Sequence, residues 1–564
     1  MPVRPALLPA VPALTLLAML GPVAAGLWGA LLPAAGHLPA AGFEGPSLAP
    51  LRALLGWPGL TDALRLSLVP GLLATLLSLG ITALIVAGWW GTRTFTALER
   101  ALSPLLSVPH AAAAFGLAFL IAPSGWIARV LSPWATGWDR PPDLLILQDS
   151  WGLSMTAGLV AKEVPFLLLM SLAALAQADA RRALRVAQSL GHDRVSGWLV
   201  AVFPRVYAQI RLPVYVVLAY SMTVVDVAVI LGPSTPPPLS VQIVRWMSDP
   251  DLSQRLVAAA GALLQLALVG GALLAWRMGE MAAARLGRAW IVRGAHASLD
   301  PVLRPAGLLL GALSALAVLG GLAGLALWSF AGFWSFPAAL PDTLSLRGWA
   351  RHGAGVLDSA ATTALIAASA TALALVLVLG CLEAEHRRGR PLSRRGLWLI
   401  YLPLIVPQIA FLPGLQTLLL SLGWSSGTGP VIAAHLVFVL PYVFLSMGDP
   451  WRAWDARHAT VAATLGAAPA RVFWRVRMPM LLRPVLTAAA VGLAVSVGQY
   501  LPTLLAGGGR VTTLTTEAVA LASGGDRRAI GAFAVAQTAA ALLPFALALG
   551  LPALIWRNRR GLHG

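Results

Sequence analysis

Twelve apolar runs of about membrane-spanning length, separated by short polar or basic stretches, set the first limit on this chain. They lie near 8–32, 65–90, 103–124, 152–176, 213–232 and 256–276, then near 305–330, 358–381, 397–422, 431–448, 485–505 and 530–556. A bilayer core is crossed by roughly 20 apolar residues in a helix. A water-soluble fold with this many such segments would have to expose large apolar patches. Across the 564 residues 58% are hydrophobic and only 11% are charged, about half the usual charged share of a soluble domain. The expected fold is therefore all-α: a polytopic membrane protein of about 12 transmembrane helices. A soluble enzyme, a disordered chain and a secreted disulfide scaffold are excluded. The first run resembles a signal peptide, with Arg4 ahead of it and Ala24-Ala25-Gly26 inside it. It is read as an uncleaved span, because the pairing of the two halves below needs it.

The charges orient the spans. The net charge is +18, but the arginines lie between apolar runs rather than in one tract, so nucleic acid is not an expected partner and membrane lipid is. With the N-terminus inside, most arginines fall in inner segments, notably 181–211, 277–304, 387–395, 452–483 and 557–560. An excess of Lys and Arg marks the cytoplasmic side. Both termini are expected in the cytoplasm of a bacterial inner-membrane protein. Lys162 is the only lysine, and it is followed by Glu163 and preceded by Ala161. A phosphate-binding Walker loop needs a lysine after glycine, so no such nucleotide site is expected. Cys381 is the only cysteine, which excludes an intrachain disulfide. No metal-ligand spacing and no nucleophile–base constellation is visible, so no catalytic residue is assigned.

The chain is duplicated. Val186-Ala187-Gln188-Ser189-Leu190-Gly191 recurs as Val461-Ala462-Ala463-Thr464-Leu465-Gly466, and Pro204 and Pro479 follow the two glycines at the same distance. Trp198 and Phe473 occupy the same place, and the register continues from Leu239-Ser240-Val241-Gln242 to Leu514-Thr515-Thr516-Glu517. Earlier, Val108-Pro109 and Gly116-Leu117 reappear as Val406-Pro407 and Gly414-Leu415. The expected organisation is a first six-helix half at 1–278, a cytoplasmic linker at 279–304 and a second half at 305–564. The best-matched part is a long cytoplasmic loop after the fourth span of each half, although loops ordinarily drift. Its composition favours two short helices joined at Gly191 or Gly466. Such a hairpin suits the groove of a soluble partner.

This loop resembles the "EAA" loop of permease subunits of binding-protein-dependent ABC importers with the type I, MetI-like fold. Gly191/Pro204 and Gly466/Pro479 match the family pattern, as do Ala187 and Ala462. Val186 and Val461 replace the first alanine, and Arg185 and Thr460 replace the glutamate. The joined halves look like the fused permeases of ferric iron and thiamine uptake. They look closest to the Ynj-type group, on Gly498-Gln499-Tyr500-Leu501-Pro502-Thr503 and Thr512-Thr513-Leu514-Thr515-Thr516-Glu517-Ala518-Val519. The resemblance implies a transport subunit that is not itself an enzyme. It also implies a cytoplasmic ATP-binding subunit acting as a dimer and a periplasmic substrate-binding protein, with ATP held on the partner and no cofactor on this chain. Ala187, Leu190, Gly191, Trp198, Pro204, Ala462, Leu465, Gly466, Phe473 and Pro479 are then the ATPase-coupling residues. Lys162, Glu163, Asp226, Gln499 and Tyr500 are candidates for the solute path, because charges at membrane depth cost several kcal/mol unless paired or hydrated. Lys162 is expected to meet Asp226, since neighbours on a helix point apart. His110 and His435 are expected to bond between helices. The alternative is an ion-gradient-driven carrier, with the intramembrane charges as its relay.

Overall fold

The computed structural model describes residues 8–294, 298–389, 393–424 and 426–555. Arg4, the arginines at 557–560 and part of the expected linker lie outside them. The described chain is helical, with nine helices long and apolar enough to cross a membrane, and twelve spans when three bent pairs are counted as one each. The first half comprises α1 (Val11–Ala34), α2 (Leu60–Trp89), α3 (His110–Ile121) and α4 (Leu153–Gln177). Two short helices follow, α5 (Ala180–Ser189) and α6 (Arg194–Ala201), and then α7 (Phe203–Ser221), α8 (Asp226–Leu231), α9 (Leu239–Met247) and α10 (Gln254–Val292). The second half comprises α11 (Asp300–Phe330), α12 (Arg347–Arg388), α13 (Arg394–Ile405), α14 (Gln408–Ser421), α15 (Thr428–Arg452) and α16 (Arg457–Thr464). It closes with α17 (Leu482–Val497), α18 (Leu501–Ala506), α19 (Leu514–Ala520) and α20 (Arg527–Ile555). The segment expected as linker is largely helix, entered by α10 from one side and by α11 from the other.

Four expected spans are interrupted. Those near 103–124 and 397–422 break just before α3 and α14, at Val108-Pro109 and Val406-Pro407, and two others break as well. The run at 213–232 is not one helix: α7 stops at Ser221 and a new helix starts at Asp226. The run at 485–505 breaks in the same way, between Val497 and Leu501. Apolar composition fixes solubility in lipid but not helix continuity, and backbone freed by a break is tolerated when protein covers it. Here Thr515 Oγ1 donates to Val497 O at 2.5 Å, and Thr223 Oγ1 donates to Ala219 O at 2.7 Å.

The halves are interlocked by exchanging their first helices. α1 lies on α14 of the second half, with Gly26 and Gly29 against Phe411 and Gly414. α11 lies on α3 of the first half, and a β-carbon on Gly116 would stand 2.8 Å from the Gly321 carbonyl carbon. Without a hydrophobic drive between helices in lipid, small residues let backbones approach and gain dispersion. Gly116 and Gly414 are repeat equivalents, so one packing solution is used twice.

Candidate coupling loops and solute path

Each repeat loop is a short helix closed by a left-handed glycine. φ is +91° at Gly191 and +83° at Gly466, a conformation glycine adopts without steric cost. Both ends close alike. Gly191 N–H donates to Gln188 O at 3.0 Å and His192 N–H to Ala187 O at 3.2 Å. Gly466 N–H donates to Ala463 O at 2.9 Å and Ala467 N–H to Ala462 O at 3.0 Å. This is the closure that satisfies the orphan carbonyls of a helix end. Pro204 and Pro479 then open the next helical segments, where a missing N–H costs nothing.

The closures leave apolar side chains in solvent at matching places. Val186 is 52% and Leu190 67% exposed, and Val461 is 59% and Leu465 83% exposed. The roots differ. In the first loop Ala187 and Trp198 are buried, the indole against Phe203 at 5.5 Å. In the second loop α16 buries no residue, Ala462 is half-buried, and Phe473 leans on Trp451 at 6.0 Å.

Charged residues that the sequence reading did not single out hold both loops. Asp193 caps α6 through Ser196 N–H at 2.7 Å and also accepts from Leu299 N–H at 2.5 Å and Asp300 N–H at 2.8 Å. Asp300 returns a bond, accepting from Val195 N–H at 2.7 Å. Two helix starts, α6 and α11, are thus capped by each other's aspartate. Partial burial pushes the Asp193 carboxyl up, but the donors of Ser196, Asp300 and Leu299 outweigh it and hold it below the usual range. The tie therefore persists at neutral pH and weakens only as pH falls through that lowered value. An aspartate three residues before a serine, just past a helix-ending glycine, was the available signal. In the second loop Arg477, 3% exposed, pairs with Glu383 at 3.1 Å and lies over Trp451 at 4.2 Å and Trp454 at 4.6 Å.

The path candidates do not form the expected pair. Lys162 Nζ donates to Leu105 O at 2.7 Å, Val108 O at 2.6 Å and Leu106 O at 3.3 Å, and it does not meet Asp226. The reason is the break before α3: a short 3-10 turn at Ser103–Ser107 ends there and leaves carbonyls that need donors. Glu163 instead faces His110, at 3.5 Å from Nε2. Asp226, 6% exposed, is the first residue of α8. Gln499, 9% exposed, lies in the break before α18. Tyr500 lines a cavity of about 250 Å³ with Val225, Ala228, Gly232 and Arg245. His435 bonds Ser496 Oγ and Thr503 Oγ1, each at 2.8 Å, so its interhelical role holds.

Lys162→Met is expected to lower stability by about 2–4 kcal/mol, since two buried carbonyls and one half-buried carbonyl lose their donor. In a double-mutant cycle the loss adds to that of Asp226→Leu without coupling, as the two groups do not touch. Thermal unfolding in detergent reads both values, and a strong coupling would restore the original pairing.

A duplicated helical bundle of membrane-spanning length with two glycine-closed loops defines a membrane permease. The chain belongs to the family of inner-membrane permeases of binding-protein-dependent ABC transport systems. Residues 376–555 match the family described as binding-protein-dependent transport system inner membrane component. The chain is 32% identical over 519 residues to the inner membrane ABC transporter permease protein YnjC of Escherichia coli K12, covering 92% of this chain and 93% of that protein. Shorter matches include the molybdenum transport system permease protein ModB of Mycobacterium tuberculosis, 33% identical over 29% of this chain and 68% of that protein. The putrescine transport system permease protein PotI of E. coli K12 is 27% identical over 30% of this chain and 64% of that protein. No solved structure matches. The fused double-length form expected from the repeat agrees with the full-length relative. The protein is a multi-pass inner-membrane transport subunit.

Proposed function

We propose that the two loops are the seats of a dimeric cytoplasmic ATPase, and that its closure rocks the two halves to pass a solute delivered by a periplasmic binding protein. The observation that carries this reading is the repetition of one exposed pair, Val186/Leu190 and Val461/Leu465, behind identical glycine closures. Two equal apolar knobs suit two equal grooves, as a homodimer offers. ATP is bound on that partner, and this chain carries neither nucleotide nor cofactor. Both termini and the 279–304 connection lie on the cytoplasmic side with the loops, a placement that the arginine distribution supports. Rigid-body rocking about a pseudo-two-fold axis moves solute between the halves. The partial relatives are named for molybdenum and for putrescine, so kinship leaves the solute open.

The test is gentle purification of the tagged protein from its native membrane, with identification of what accompanies it and an ATP-hydrolysis assay. An ATP-binding subunit is expected to co-purify in two copies per chain. If the chain moves solute alone in liposomes, driven by an ion gradient, the coupling reading is wrong and the carrier reading replaces it.

A further inference from the structure

α2 meets the first loop with its last residues, where Ala87 O and Trp90 O accept from Arg194, so the end of α1 lies on the opposite side of the bundle. There α1, α10 and α14 converge, and a cavity of about 90 Å³ opens between them. Leu38 and Ala41 line it from the turn after α1, Leu252 and Arg255 from the start of α10, and Leu420 from the end of α14. The turn is fixed, since Leu38 N–H donates to Phe43 O at 2.7 Å. Other covered arginines each donate to a carbonyl: Arg65 to Ser150 O at 3.2 Å, Arg129 to Ser335 O at 2.7 Å and Arg527 to Ser124 O at 3.2 Å. Arg255 is the exception. It is half-buried and its Nε is shut off from solvent, yet among the described residues its side chain meets no acceptor. The acids nearest in sequence are engaged: Asp249 accepts from Asp251 N–H at 2.9 Å, and Asp251 accepts from Ser253 N–H at 2.9 Å and Ser253 Oγ at 2.7 Å. A desolvated N–H without an acceptor is costly and rare in folded proteins.

We propose that this cavity holds the phosphate of a membrane phospholipid, with Arg255 as its donor and the leucines against its glycerol and first acyl carbons. The missing partner of a guanidinium is an acceptor with negative charge, and a phosphate diester supplies one. The lining favours a lipid over a free oxyanion. Thr417 Oγ1 and Ser421 Oγ also border the cavity, but they donate to Pro413 O at 3.0 Å and Leu418 O at 2.8 Å. The guanidinium is therefore the principal donor, and a free phosphate needs several donors to leave water. A lipid adds apolar surface instead, which Leu38, Leu252 and Leu420 bury. Leu31 and Leu32 of α1, just before the turn, are 47% and 39% exposed and Leu420 is 40% exposed, an apolar surface suited to acyl chains. Elements of both halves line the cavity, so a bound lipid fastens the end of the exchanged helix α1 to α14. This inference does not depend on how transport is energised.

Native mass spectrometry of the full chain in detergent, with limiting dioleoyl phosphatidylglycerol, reads the site. A single lipid is expected to survive activation that strips the rest. Arg255→Gln should lower that occupancy about tenfold, and Arg255→Lys should lower it less. Arg140→Gln, on an exposed loop, should leave it unchanged. Ala41→Phe fills the cavity while keeping Arg255, and it should lower retention as well. Dioleoylglycerol, which lacks the phosphate, should be held weakly and equally by the native chain and Arg255→Gln. Inorganic phosphate at millimolar concentration should not displace the lipid. Undiminished retention in Arg255→Gln, or retention of dioleoylglycerol equal to that of the phospholipid, would overturn the proposal. Displacement by inorganic phosphate would overturn it too, by making the cavity a site for a free oxyanion. If Arg255→Gln fails to fold, Ala41→Phe and the comparison of the two lipids on the native chain still decide.

Discussion

Leu190→Asp combined with Leu465→Asp is expected to reduce ATP-driven uptake at least about a hundredfold and to release the ATPase on purification. Each leucine stands in solvent at the tip of a glycine-closed helix, 67% and 83% exposed. Burying such a side chain in a groove gains about 1.5–3 kcal/mol. Placing a carboxylate there costs more still, and a 1.4 kcal/mol loss is already tenfold in binding. Uptake in proteoliposomes and co-purification measure the two effects. Both side chains are largely exposed, so the permease's thermal unfolding should hardly move. Single variants are expected to be unequal. The first loop is tied to α11 through Asp193 and Asp300, whereas α16 of the second buries nothing. Leu190→Asp should therefore cost more than Leu465→Asp. Retention of both ATPase and uptake in the double variant would place the seat elsewhere.

Gly414→Leu is expected to abolish folded, monodisperse protein. A β-carbon at this position would overlap the backbone of Gly26 and Ala30, and backbone cannot rotate out of the way as a side-chain end does. Overpacking typically costs about 1–3 kcal/mol. A clash with backbone across the seam between halves lies at or beyond that limit. Gly116→Leu, at the equivalent crossing on Gly321, should fail in the same way. Gly271→Leu in α10 is the control, because no atom lies within 4 Å of its β-carbon. Size-exclusion elution and melting temperature report the outcome. A well-behaved Gly414→Leu protein would show that the α1–α14 crossing does not hold the halves together.

Span number, the duplication and the glycine-closed loops were legible in the sequence because each rests on a local rule. Apolar length, a repeated string and a left-handed position are all properties of neighbouring residues. The interruption after Ser221 was not legible, since nothing in Met222-Thr223-Val224-Val225 forces a helix to stop, whereas Gly498 and Pro502 flank the one after Val497. The partner of Lys162 was misjudged for a related reason. Charge pairing suggests Asp226, whereas the open carbonyls arise from a turn more than fifty residues earlier, whose need for a donor appears only once the backbone path is known. The exchange of first helices was equally hidden. Gly26, Gly321 and Gly414 each look ordinary in a glycine-rich membrane chain, and their meaning lies in which glycine meets which. Asp193 is the opposite case, since its capping position was readable and only its second role, on α11, required the fold.

The crossing of α1 with α14 also constrains how the protein is made. α1 is made well before α14, yet its packing surface belongs to that helix, encoded far downstream. At about 5–20 residues per second, α1 waits some tens of seconds in the membrane before α14 exists. Throughout that interval the face carrying Gly26 and Gly29 rests against lipid or against another chain. A nascent first half is thus unlatched, and it becomes a closed unit only late in synthesis, when the second half supplies the surface on which α1 settles.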